Sequence, residues 1–298
     1  MSDWDFLHEM RDEGYSSEEI ADAAASGASP RDWEYIAKQE AKMEREIVNK
    51  PSRKSRRIRT KISKCRVVFF DLEFYVPEAS RSENGFCYNP WDKSCKILGG
   101  SFLLANPVKD FDITESDVLK KTKSLWLWEH PSEKELLQQI YNLLKGAYDT
   151  VRDAHDGAVS PILCGIGITS SDVPILFELF KRFKILTNSE AFSFQNGFRS
   201  IDLSQLAVAT FNNPNKLLYP KTKGHILNKY LPDTKFETGK SVWELYELKN
   251  YEAIQSRVLS EVYSTHRCYE LIKSDIDKFK SLELSHKKRE KAASKILV

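Results

Sequence analysis

The residues best placed to do chemistry in this chain are carboxylates. Asp71 and Glu73 close the segment Phe69-Phe70-Asp71-Leu72-Glu73. Side chains alternate along a strand, so the two acids share one face. Two carboxylates side by side repel unless positive charge neutralises them. A hard divalent cation such as Mg²⁺, which takes oxygen ligands and one or two carboxylates, does this. A third acid, Asp172, follows an apolar segment and stands where a helix begins, a place Asp also fills as a simple N-cap. A fourth, Glu261, lies in a long helical segment beside Ile254, Val258 and Val262, with Arg257 one turn before it. An ordinary Arg257–Glu261 pair is the alternative to a ligand role there. Other chemistry has little support. Cys87 and Cys95 have no histidine nearby, and a structural zinc needs four ligands. His8, His130, His155, His225 and His286 lack metal-ligand spacing, and there is no glycine-rich nucleotide loop.

The elements that must position these acids can be read from apolar patterning. Val67 to Phe70 is a continuous β-branched and aromatic run, as expected for a central buried strand. Further strands are expected at Ile97 to Ala105, around Leu125 to Trp128, at Pro161 to Gly167 and at Phe198 to Leu203. An amphipathic helix should start at Ser132, with Leu136, Leu137, Ile140, Leu143, Leu144 and Tyr148 on its inner face. Another should start at Asp172, and a long one should run from about Tyr251 to Ile276. Three strands followed by alternating strands and helices predict an α/β layered domain.

Four stretches in this order resemble a known family: Val67-Val-Phe-Phe-Asp-Leu-Glu, then Cys164-Gly-Ile-Gly-Ile-Thr-Ser-Ser-Asp-Val-Pro-Ile-Leu, then Arg199-Ser-Ile-Asp-Leu-Ser-Gln-Leu, then Gly239-Lys-Ser-Val-Trp-Glu-Leu-Tyr followed by Asn250 to Thr265. They are similar to the motifs of the DEDD (DnaQ-like) 3′–5′ exonucleases, most of all the proofreading-exonuclease-like proteins related to family B DNA polymerases. The resemblance covers about Cys65 to Lys273. It implies an RNase H-like mixed sheet flanked by helices. It also implies hydrolysis of phosphodiester bonds at nucleic-acid 3′ ends, on single-stranded DNA more readily than RNA. The cofactor implied is a pair of Mg²⁺ or Mn²⁺ ions ~3.5–4 Å apart. In that scheme Asp71 bridges both ions, Glu73 holds the water-activating ion, and Asp172 and Glu261 complete the shells. Phe74 and Tyr75 follow the first motif and could stack on terminal bases or simply pack. The chain departs from the family in three places. The fourth acid is Glu261 rather than Asp. The family's Tyr four residues before that acid, or His five before, is replaced by Arg257 and Ser256. Ser171 precedes Asp172 where the family has an aromatic residue. A substitute base must come from elsewhere, with His266 the first candidate and Tyr251 and Tyr263 also close in sequence. Glu270 is a second choice for the fourth acid. These departures keep open an alternative, a degenerate RNase H-like module that binds nucleic acid or protein without catalysis.

Charge divides the chain. With 45 Lys and Arg against 43 Asp and Glu over 298 residues, the formal charge is +2. That balance argues against a histone-like polybasic protein. Residues 1–49 hold 13 acids and 5 bases, whereas residues 50–66 hold 9 bases and no acid. The reading is a helical N-terminal appendage (1–49) able to recruit a protein partner, a basic linker (50–64), an exonuclease domain (65–276) and a charged tail (277–298). In the appendage, Ser16-Ser17-Glu18-Glu19 has capping-box spacing and Ser29-Pro30 pairs a cap with a first-turn proline. Trp4, Phe6, Leu7, Tyr15, Ile20, Trp33 and Ile36 are its expected core. Hydrophobic residues at 41% suffice for a buried core. No apolar run reaches the ~18–20 residues of a membrane span. The acidic start lacks the apolar core of a secretory signal, and five scattered Cys suit reduced thiols, so an intracellular (cytoplasmic) setting is expected.

The linker bases Arg53, Lys54, Arg56, Arg57 and Arg59 are read as a strap on the phosphate backbone, which releases counterions on binding. Neutralising Arg53, Lys54, Arg56 and Arg57 together should weaken single-stranded DNA binding and flatten its salt dependence by about four ions' worth of slope. Fluorescence anisotropy across a salt series measures this, and an unchanged slope rejects the strap.

Overall fold

The computed structural model describes residues 3–26, 60–81, 88–111, 113–207, 223–234 and 241–296. The chain divides into two compact units, Met1–Arg59 and Thr60–Val298. In the first, helices α1 (Asp3–Asp12) and α2 (Ser17–Ser26) pack Leu7, Tyr15 and Ile20 around buried Met10. The expected capping box is present: the Ser16 N–H donates to Glu19 Oε2 at 2.7 Å, and the Glu19 N–H donates to Ser16 Oγ at 3.3 Å. The basic linker residues Arg53, Lys54, Arg56, Arg57 and Arg59, the second capping signal at Ser29-Pro30, and Trp33 and Ile36 lie outside the described residues.

The second unit is an α/β layer built on a five-stranded mixed sheet in the order β3-β2-β1-β4-β5. The strands are β1 (Val67–Tyr75), β2 (Lys96–Ala105), β3 (Thr122–Trp126), β4 (Ile162–Gly165) and β5 (Arg199–Asp202). The first three form an antiparallel meander, while β1–β4 and β4–β5 pair in parallel. The helices are α3 (Glu115–Lys121), α4 (Glu133–Asp153), α5 (Asp172–Arg182), α6 (Asn188–Asn196), α7 (Leu203–Leu206), α8 (Lys223–Tyr230), α9 (Ser241–Glu247) and α10 (Tyr251–Ile296).

Alternation along β1 separates the two faces of the sheet. Val68, Phe70, Leu72 and Phe74 point into a core with Leu136, Leu137 and Ile140 of α4 and Leu176, Phe177 and Phe180 of α5. Val67 and Phe69 face the other way, onto Ile226 and Leu227 of α8 and Val262, Cys268 and Ile272 of α10. Each such buried side chain contributes about 1.5–3 kcal/mol of transfer free energy, so both faces are firmly set. Asp71 and Glu73 continue the second face, and α10 lies across it.

Several expected boundaries moved; β4, for one, ends at Gly165 rather than Gly167. The third strand covers Thr122–Trp126 rather than reaching Trp128, because its pairing with β2 ends at Gly99–Trp126. There β2 carries one extra residue, Leu98, between the partners of Glu73 and Phe74. This bulge turns Leu98 into a small cluster with Trp126, Val242, Ile254 and Val258. The last helix does not stop near Ile276 but runs to Ile296. Residues 277–296 contain no Gly or Pro and are rich in good helix formers.

Gly99 and Gly100 let β2 lie against its neighbours. Gly99 has φ +125°, and a Cβ there would sit 2.0 Å from the Leu125 carbonyl oxygen. A Cβ on Gly100 would sit 2.3 Å from the Asp71 carbonyl oxygen, which is backbone and has little room to yield. Gly100→Ala should therefore lower stability by about 1–3 kcal/mol by prising β2 from β1. Urea denaturation reads this directly, and an unshifted midpoint would contradict the β1–β2 register.

Candidate metal centre

Three elements from distant parts of the chain deliver carboxylates to one place. Asp71 and Glu73 come from β1, and Glu261 comes from the face of α10 that also buries Val258 and Val262. Ligand oxygens of Asp71, Glu73 and Glu261 all lie within 4.8 Å of one another. Asp172, at the start of α5, is tied to β1 but is not among the acids whose oxygens group within that distance. Helix and strand are tied there because β1 outruns β4: their pairing ends at Phe69–Cys164, while β1 continues to Tyr75. The Leu72 N–H, beyond those pairs, donates to Asp172 Oδ1 at 3.2 Å. The Ser171 hydroxyl donates to Asp172 Oδ2 at 2.5 Å. Ser171, not Asp172, is the N-cap residue, and Asp172 is the first residue of the helix. Its carboxylate is thus free of a capping duty and is held toward β1. The Asp172 charge is felt at Asp71.

Two cations sit among the acids. Lys223 Nζ, from α8, lies 2.9 Å from Asp71 Oδ1 and 2.5 Å from Glu261 Oε2. Arg257, one turn before Glu261, donates from Nε to Glu261 Oε1 at 2.9 Å. Its guanidinium also reaches to 3.7 Å from Glu73 Oε1 and donates to Ser241 Oγ at 2.9 Å. The sequence reading held Arg257 to be a surface ion pair with Glu261, standing where the family has a Tyr and unable to replace it. In the structure it is a mostly buried counter-ion to two of the acids. Lys223 was not foreseen. Its one signal is spacing: Ile226 and Leu227, three and four residues on, are buried, which places Lys223 on the inner face of its helix.

Burial and crowding push the acids apart in proton affinity. Asp71 is raised to about 8, by burial first and then by the Glu261 and Asp172 charges, which outweigh the pull of Lys223. Burial and the neighbouring Asp71 and Glu261 also lift Glu73 well above the ordinary range. Asp172 is raised by burial, against its hydrogen bonds from Ser171 and Leu72. Glu261 goes the other way. Burial opposes its charge, but Lys223, a hydrogen bond shared with Asp71 and Arg257 bring it down to about 2. Of that pair, Asp71 is the acid shifted toward holding a proton and Glu261 the one shifted toward ionisation. Burial works against the Lys223 charge, yet Asp71 and Glu261 overcome it and hold the amine above its ordinary value.

The remaining expectations fare unevenly. His266 cannot serve as the base as placed. It is fully buried, its Nε2–H donates to the Asp110 carbonyl oxygen at 2.9 Å, and its ring packs against Phe69 and Phe111. A ring sealed in the core and bonded to backbone has no water to deprotonate. Phe74 is likewise not a stacking platform, because bulge-side packing buries it with its ring 4.4 Å from Tyr88. Tyr75 is half-buried at the end of β1, its ring 4.9 Å from Tyr246 and its hydroxyl donating to Glu247 Oε1 at 3.0 Å. Glu270 pairs with Arg267 and stands outside the acidic group. Among the described residues no helix is long and apolar enough to cross a membrane.

The donor set suits a hard divalent ion, being all carboxylate oxygen on rigid elements. Lys223 and Arg257 already neutralise part of it. No protein-family model matches the chain, and no curated protein matches its sequence.

The proton affinities carry a sign for stability. Acids raised in the folded state release protons more readily once unfolded, so rising pH favours the unfolded chain. Without divalent ions, stability should fall as pH rises from the ordinary carboxylate range through about 8, the value to which Asp71 is raised. Glu261 acts only at lower pH, where its contribution is lost as pH falls toward about 2. Asp71→Asn should flatten the upper slope. Urea titrations at several pH values in chelator would test this, and equal slopes for both proteins would contradict the assignment.

Proposed function

We propose that this chain is a metal-dependent 3′–5′ exonuclease of RNase H-like fold that hydrolyses phosphodiester bonds at the 3′ ends of single-stranded nucleic acid, DNA rather than RNA. The observation that carries this reading is the convergence of Asp71, Glu73 and Glu261 within 4.8 Å, with Asp172 tied to β1 beside them. The four acids were picked out by their order in the sequence, and that order supports the family resemblance. A mixed five-stranded sheet flanked by helices is compatible with the fold the resemblance implies.

In this reading Asp71, Glu73, Glu261 and Asp172 would hold Mg²⁺ or Mn²⁺. When bound, such ions supply an activated water and stabilise the departing 3′ oxygen. The chain's own residues do the rest. Glu73, on the same face of β1 as Asp71, would orient the attacking water. Arg257, anchored on Ser241, keeps Glu261 and Glu73 oriented. Tyr75, just past Glu73 and partly exposed, lies near enough in sequence to meet the terminal base. The basic linker tracks the backbone, and the N-terminal helices take a protein partner. Cys65, Cys95, Cys164 and Cys268, in no disulfide among the described residues, fit an intracellular enzyme.

A second reading is favoured by one observation. Lys223 and Arg257 each contact two members of the acidic group, so the chain can neutralise it without metal. Such a protein would be a binding module that has kept the fold and lost hydrolysis. Incubation with a 3′-labelled single strand and Mg²⁺ or Mn²⁺ separates the two. Stepwise shortening by the wild type should drop more than about a hundredfold in Asp71→Ala plus Glu73→Ala, since even groups that only support a metal ligand cost 10–100-fold. Shortening that survives the double substitution sinks the cluster assignment. A wild type that binds the strand without shortening it establishes the binding module.

A further inference from the structure

We infer that Lys223 is an exchangeable counter-cation: a divalent ion enters the carboxylate centre by displacing its ammonium group, so this one lysine sets the concentration of metal at which the centre fills. The inference rests on the proposed reading that the centre binds such ions. It goes beyond that reading by assigning a competitor within the chain.

Three observations carry it. First, Lys223 Nζ bridges Asp71 and Glu261, two of the three residues whose oxygens are grouped closely enough to hold an ion. An ion placed between those two oxygens would occupy the position the ammonium now holds. Second, Glu261 divides its oxygens, Oε2 to Lys223 and Oε1 to Arg257. The two cations are not equally fixed. Arg257 stands on the same helix as Glu261, is braced by Ser241 and approaches Glu73. Lys223 comes from a different element on a flexible four-carbon stem that ends in a point charge. That stem gives Lys223 the reach to swing aside. Third, its side chain is 18% exposed, more than the 14% and 11% of Asp71 and Glu261. Replacing one charge by two at this depth improves the match to the three grouped acids, and the ammonium regains its hydration outside.

Exchange of this kind is reciprocal, so the ion should expose Lys223 as surely as Lys223 weakens the ion. Two experiments on the full chain test both sides. Calorimetric titration with Mn²⁺ should show about tenfold or more tighter binding in Lys223→Met than in wild type, as removal of one nearby unit charge would give. The same gain should be absent in Lys223→Arg, which keeps the charge, and binding should vanish in Asp71→Asn plus Glu73→Gln. Amine labelling of the wild type, read by mass spectrometry at Lys223, should rise when Mn²⁺ is added. This second arm needs no variant to fold. Equal Mn²⁺ affinity in wild type and Lys223→Met, or labelling of Lys223 unmoved by bound Mn²⁺, overturns the inference while leaving the metal centre standing. Weaker binding in Lys223→Met also overturns it, by making the lysine a support rather than a competitor. No Mn²⁺ binding in either protein removes the metal reading and the exchange together.

Discussion

Everything in the second unit is arranged around one electrostatic constraint: several carboxylates are buried together and must be matched by positive charge. Stripping water from an ion costs several kcal/mol even after the protein relaxes. The group formed by Asp71, Glu73 and Glu261 escapes that cost in three ways at once. It raises the proton affinity of Asp71, lowers that of Glu261, and draws in Lys223 and Arg257. Helix α10 satisfies part of the constraint by itself, carrying an acid of the group and the guanidinium that braces it one turn apart. Helix α8 exists in its observed position because Ile226 and Leu227 bury beside Val67 and Phe69, and the same packing carries Lys223 to the acids.

The sheet makes that convergence possible by giving β1 two different neighbours. Antiparallel β2 accompanies β1 along its whole length, whereas parallel β4 leaves it after Phe69. The stretch of β1 beyond that point is held on one edge only, and it is the stretch that bears both acids. The other edge is taken over by the start of α5. A central strand that is fully paired early and half-paired late combines a rigid mount with an approachable end. The bulge at Leu98 falls at the same level and fastens the meander to α9 and α10 through Trp126, Val242 and Ile254.

Much of this could be read from the chain alone, and the physical reasons for success and failure differ. Apolar runs such as Val67 to Phe70 and Pro161 to Gly165 were legible because a strand buried on both faces leaves a dense local signal. The acids were legible because Asp71 and Glu73 follow such a run and Glu261 breaks an apolar stripe. Lys223 was not, since a lysine at a helix start looks solvated until its partners, 152 and 38 residues away, are known. His266 was misjudged because proximity in sequence to Glu261 says nothing about depth. Five residues along a helix turn it well off Glu261's direction, and in the structure its ring lies against Phe69 and Phe111, beneath the loop that carries Asp110. Phe74 was ambiguous from the start, and only the position of Tyr88 decided it.

The hydrogen bond from the Leu72 amide to Asp172 has a consequence for how the centre can be watched. That amide sits between the two acids of β1, and its acceptor is a third. Its proton can be traded for deuterium only when β1 and the first turn of α5 come apart. The exchange lifetime of a single backbone position therefore reports the integrity of the whole acidic group, with no ligand, substrate or label needed to see it.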